Sequence, residues 1–132
     1  MDARGLIRIG RVSSVNPSAC AARVVFEDRE DTVSFELPII VRGSQDTKDY
    51  WLPVPGEQVL CVFVNSTDGF IVGSFYSDAD QPPAATPAKR CVTFPDGNSV
   101  EYDLSTKKLT IKGNVIIDGD LTVTGVINNG GG

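Results

Sequence analysis

The sequence predicts an all-β protein, and three observations carry that prediction. Five short runs between residues 6 and 77 alternate apolar and polar side chains or form compact apolar stretches between turn residues. From residue 107 to 127 the alternation continues, with glycine at Gly113, Gly119 and Gly125. Nowhere do apolar residues recur at helical spacing. The expected architecture is an N-terminal five-stranded barrel of the OB type, followed by a short intertwined triple-stranded β-helix that forms in a homotrimer.

In order, residues 6–15 (LIRIGRVSSV) read as the first strand and Asn16-Pro17-Ser18 as a turn. Residues 22–27 (ARVVFE) form the second strand and 28–31 (DRED) a charged hairpin connection. Residues 32–37 (TVSFEL) form the third, with Val33, Phe35 and Leu37 expected on one face. Residues 43–49 make a polar loop. Residues 50–56 (YWLPVPG) hold the only tryptophan, between prolines and a glycine. Tyr50 and Trp51 either plug one end of the barrel or anchor a partner at its surface. Residues 57–65 (EQVLCVFVN) and 70–75 (FIVGSF) form a hairpin around Ser66–Gly69. A core of this size leaves the barrel marginal on its own.

Residues 78–90 change composition to a Pro/Ala linker, which sets the domain limits: a platform over 1–77 and a stalk over 91–132. The stalk opens with a hairpin around Pro95-Asp96-Gly97-Asn98. Val92 and Phe94 share one of its faces, as do Val100, Tyr102 and Leu104. Then comes the glycine ribbon, read as about four short strands kinked at each glycine. Leu109, Ile111, Val115, Ile117, Leu121, Val123 and Ile127 share one parity, and Ile116 and Val126 break it. Such a ribbon has an apolar face and two bare edges, and only Asn128-Asn129-Gly130-Gly131-Gly132 follows to cover it. A single-chain solenoid needs at least about three stacked repeats, and this segment supplies about one coil. Three copies closing on one axis solve the problem. The odd-position residues then form the trimer core, and the glycines let the chains approach closely. Each buried Val, Ile or Leu contributes roughly 1.5–3 kcal/mol, so trimerisation and stalk folding are expected to be one event.

The composition excludes several function classes. The net charge is −5, which argues against nucleic acid as the main partner. There is no histidine, which removes the commonest general base and most zinc and iron sites. No phosphate-binding glycine loop fits. Glu27, Asp28, Glu30, Asp31, Asp118 and Asp120 fall in turns or on wet faces rather than as a catalytic pair. Lys107, Lys108 and Lys112 read as a solvated face. Cys20, Cys61 and Cys91 are odd in number and far apart, so no disulfide framework is read, and Cys61 lies inside an apolar strand. The N-terminus has no signal-peptide pattern, and no apolar run is long enough to span a bilayer. No catalytic, cofactor or metal site is expected. An OB module gripping single-stranded nucleic acid or oligosaccharide is the competing reading; it would rest on Tyr50, Trp51, Tyr76 and scattered arginines.

Several segments in this order carry a resemblance: Pro55-Gly56-Glu57-Gln58-Val59-Leu60, then Gly73-Ser74-Phe75-Tyr76-Ser77 with Pro82-Pro83, then Phe94-Pro95-Asp96-Gly97, then the glycine ribbon. Together they resemble phage baseplate assembly protein V, the central tail spike of contractile-tailed phages, and are similar to the spike proteins of type VI secretion. The resemblance covers nearly the whole chain. It implies a non-enzymatic hub adaptor in a virion or phage-tail-like particle, made in the bacterial cytoplasm. The platform would dock under the tail-tube hub and baseplate subunits, and the β-helix would point toward the host envelope. Members of that family often end in an iron-holding His-x-His apex. This sequence lacks it, so no metal is carried over, and a separate protein is expected to cap the blunt end and meet the envelope first.

Overall fold

A computed structural model describes residues 6–130. The expected platform residues 1–5 and stalk residues 131–132 lie outside them. The described chain is all-β: nine strands in two antiparallel sheets, with one 3-10 turn at Glu27–Arg29 as its only helical element. It divides between Gln81 and Pro82 into two compact units.

In the first unit, β1 (Ile7–Asn16) is the long strand that two partners share. Its second half pairs with β2 (Ala21–Phe26) and its first half with β5 (Gln58–Phe63). The register with β2 shifts between Val12 and Ser14, a bulge that coils the strand so it can serve both neighbours. β6 (Gly69–Ser74) continues antiparallel to β5. The β5–β6 turn is held by Asn65, whose side-chain oxygen accepts from the Thr67 and Asp68 amides at 2.9 and 2.8 Å. β3 (Thr32–Val33) and β4 (Leu37–Pro38) pair in turn with β2. Beyond β4, Ile39 forms a parallel bridge with Ile71, and the Ile40 amide donates to the Ile71 carbonyl at 2.9 Å. The path β1–β2–β4–β6–β5–β1 is therefore closed. It encloses Val12, Ala22, Val24, Phe26, Leu37, Val59, Cys61, Phe63 and Ile71.

The third strand departs from expectation. Residues 32–37 are not continuous, and Val33, Phe35 and Leu37 do not share a face. Leu37 is fully buried, whereas Phe35 is 64% exposed. The cause is Ser34. Its amide donates to the Val24 carbonyl at 2.9 Å, and its hydroxyl oxygen takes the Val24 amide proton at 3.0 Å. One residue thus occupies both ladder positions, and the chain swings out before β4 rejoins β2.

The second unit is a three-stranded meander: β7 (Lys89–Thr93), β8 (Ser99–Asp103) and β9 (Lys108–Lys112). Asp96 shapes the first turn by accepting the Asn98 amide at 3.0 Å, and Asp103 the second by accepting the Ser105 amide at 2.9 Å. The ribbon also departs from expectation. Of its four expected strands only β9 has a ladder partner; residues 113–130 carry no strand and bend at Gly113, Asp118–Gly119 and Thr124–Gly125. A β ladder needs a neighbour, and the described chain offers none past Lys112.

Candidate assembly surfaces

The register of the meander places its side chains in rows across three strands. Val92, Val100 and Ile111 form one row, and Arg90, Tyr102 and Leu109 the next, on the same face. The other face carries Cys91–Glu101–Thr110 and Lys89–Asp103–Lys108, with Lys89 paired to Glu101 at 3.5 Å. One face is thus apolar and one charged, and nothing in the unit covers the apolar one.

The ribbon prolongs that face. Leu109 and Ile111 sit in β9, while Val115, Ile117, Leu121, Val123 and Ile127 follow at the same sequence parity outside any strand. All seven remain between 46% and 73% exposed, and the off-parity Ile116 and Val126 stand at 92% and 87%. Gly113 and Gly119 have φ of +141° and +149°, a region that side chains rarely adopt. Two of the three repeat glycines are therefore fixed by backbone conformation. Gly125 lies outside the positive-φ region.

Sequence reasoning missed that Val92, Val100 and Tyr102 lie in the same rows as Leu109 and Ile111. The available signal was the shared alternation of the hairpin and the ribbon.

In the first unit neither expected aromatic enters the core. Tyr50 and Trp51 are both about 60% exposed, which removes the buried-plug reading. The segment, with Pro53 and Pro55, belongs to no strand, and the Tyr50 hydroxyl donates to the Pro17 carbonyl at 3.0 Å. Trp51 lines a shallow groove together with Ile40, Pro53 and Val72. Glu57 braces the segment: it accepts the Val54 amide at 3.1 Å and the Ser74 hydroxyl.

A second apolar surface went unread. The outward faces of β1 and β5 present Ile7, Ile9, Leu60 and Val62, and β6 adds Phe70 and Val72. Cross-strand pairing makes the patch continuous, since Ile7 opposes Val62 and Val62 opposes Phe70. The signal was the unbroken apolar run VLCVFV, which fills β5 from Val59 and runs one residue past it, the pattern of a strand covered on both sides. Contiguous exposed patches of this kind mark interaction sites.

Electrostatics separates the two units. Residues 6–81 carry eleven carboxylates against six Lys and Arg, and residues 82–130 carry five of each. The barrel unit thus holds the whole net charge of −5, the wrong sign for gripping a phosphate backbone. The Arg42–Asp49 pair, at 2.8 Å, holds the Asp49 carboxyl below its usual range through the hydrogen bond between them. Among the described residues no three His, Cys, Asp or Glu side chains converge as a metal site, and no helix is long and apolar enough to cross a membrane. The three cysteines are free thiols.

No family model matches the chain. It is similar to the protein named Spike protein from Escherichia phage P2, with 31% identity over 127 residues. That alignment takes in 92% of this chain and so runs through both units, but the chain spans only 59% of the relative's length.

Proposed function

Proceeding from the likeness to the phage P2 spike protein, we propose that this chain is a structural component of a contractile phage tail or a phage-tail-like particle. It acts as a central spike or hub adaptor and has no enzymatic role. The proposed organisation is an OB-type platform over 1–77, a linker over 78–90 and a stalk over 91–132 that closes as a homotrimeric, triple-stranded β-helix. The platform docks under the tail-tube hub among the baseplate subunits. The stalk points toward the host envelope and carries a separate tip-capping protein, so the chain meets the envelope only indirectly. The same parts suit phage baseplate assembly protein V and the spikes of type VI secretion.

One observation carries this reading: a ridge of seven apolar residues at a single parity, all largely exposed in the single chain. Isolated, such a ridge is a liability; wrapped around a threefold axis, it is a core. The meander's apolar rows extend the ridge on its N-terminal side, and the balanced charge of residues 82–130 lets three stalks meet without net repulsion. The closed barrel path, with its single parallel link between Ile39 and Ile71, supports the OB assignment. A closed prism leaves no strand edge to peel and spreads axial load over many interchain hydrogen bonds, which suits a part driven by sheath contraction.

Light scattering on the purified full chain tests the proposal. A mass of about 42 kDa, three times the 14.1 kDa chain, is expected, and a monomer when the chain is cut after Arg90. A full-length monomer with an ordered ribbon would overturn it.

A further inference from the structure

We propose that one mouth of the barrel is a socket for a carboxylate, with Arg8 as its cationic floor. Arg8 belongs to the inward parity of β1, opposite Cys61 on β5. Its guanidinium carbon lies 4.8 Å from the centroid of the Phe63 ring and 5.3 Å from that of Phe26. The two rings pack edge to face at 5.9 Å, which fixes the platform under the cation. Nε is buried and has no hydrogen-bond acceptor. Among the described residues the Arg8 side chain takes part in no ion pair and no hydrogen bond, although the barrel unit carries eleven carboxylates. A planar, permanently charged fork therefore lines a barrel mouth with no anion from the described residues to hold it.

Arg8 lines a cavity of about 150 Å³ together with Phe26, Phe63, Ser66 and Thr67, and Val33 and Phe35 complete its apolar lining. That space suits a carboxylate on a short stem. Phe35 reaches this lining where Ser34 diverts the strand, so the socket combines a cation with an apolar wall. The ligand chemistry is a carboxylate, which a small free acid or an Asp or Glu side chain of a docking protein would both provide. Arg8 would hold it through its terminal N–H groups, bidentately, while the aromatic pair excludes water from beneath.

The test uses the intact full chain and follows the Nε–H signal of Arg8 by NMR at fixed ionic strength. Acetate and the blocked tripeptide acetyl-Leu-Glu-Leu-amide are the probes, with the Gln analogue of the peptide as control. Both carboxylates are expected to shift the Arg8 signal saturably, while the Gln peptide leaves it unchanged. Binding of the Glu peptide at least tenfold tighter than acetate identifies a protein side chain as the source; equal affinity identifies a free acid. Arg8→Lys is expected to weaken binding at least tenfold and Arg8→Met to abolish it. Near-UV circular dichroism establishes that both variants keep their core. A non-saturating shift, an equal response to the Gln peptide, or full binding by folded Arg8→Met would overturn the proposal. None of these outcomes depends on oligomeric state, so the socket and the trimeric stalk stand or fall separately.

Discussion

Ser34 and Val24 exchange two hydrogen bonds across the barrel wall, one through the serine backbone at 2.9 Å and one through its hydroxyl at 3.0 Å. Val24 is fully buried, so its amide has no water to turn to. Ser34→Ala removes the acceptor and leaves a buried donor unpaired, at a cost of about 1–3 kcal/mol. Ser34→Thr keeps the oxygen and should lose far less. Urea denaturation of the two variants checks this: a lowered midpoint is expected for alanine alone, with the slope unchanged.

Cys61 makes a pH prediction. Burial pushes its thiol up to about 11, with nearby Arg8 pulling weakly the other way. The folded state therefore holds this proton more tightly than the unfolded chain, whose thiol titrates near 9.0. The contribution is intact below pH 9 and is lost as pH rises from about 9 toward 11. Stability should fall over that window, and Cys61→Ala should flatten the fall while costing roughly 1–2 kcal/mol at neutral pH. Iodoacetamide at pH 8 should label Cys20 and Cys91 before Cys61, because the reactive species is the thiolate and Cys61 is buried.

Alternation sufficed to place most strands of the barrel, because Val59, Cys61 and Phe63 on one strand and Ala22, Val24 and Phe26 on another are buried at a single parity, with Ala21 as the exception. It failed at residues 32–37, where the pattern was correct for a strand but a hydroxyl took the place of a carbonyl in the ladder. Side-chain competition of that kind has no period to read. Trp51 left two readings open for another reason. An aromatic between prolines is equally consistent with a plug and with a surface anchor, and only the path of the loop decides. The outer wall of Ile7, Leu60, Val62 and Phe70 was present in the letters, but apolar residues at both parities look like a strong core strand until closure of the barrel shows that one face points outward. The ribbon was legible in parity and glycine spacing. Its strands were not, because their partners do not belong to the same chain under the trimeric reading.

The repeat glycines separate backbone need from spacing. No atom lies within 4 Å of the position a Cβ would take at Gly119 or Gly125, so neither substitution causes a clash within the chain. The two differ in backbone: Gly119 has φ of +149°, and Gly125 is not in the positive-φ region. Gly119→Ala should therefore destabilise the stalk by about 1–3 kcal/mol per chain, and Gly125→Ala by much less. Thermal melting followed by circular dichroism on the full chain measures the difference. Equal effects would mean that close interchain approach, not conformation, is what both glycines serve.

The sharpest test of the stalk lies in two neighbouring isoleucines. Ile117 has the parity of the ridge, and Ile116 is the off-parity residue that stands 92% exposed. Their chemistry is identical and they are adjacent in sequence, so composition, strand propensity and net charge change equally when either becomes aspartate. Only the direction of the side chain differs. If the ridge is the interchain core, Ile117→Asp places three carboxylates around one dry axis, where desolvation and mutual repulsion together exceed what the remaining apolar contacts supply. Sedimentation equilibrium at neutral pH should then find a monomer for Ile117→Asp and the parental mass for Ile116→Asp. Lowering the pH below about 4 should restore some association of Ile117→Asp, since a protonated carboxyl no longer carries the charge that splits the axis. Loss of the trimer in both variants, or in neither, would show that parity does not decide what the ribbon buries.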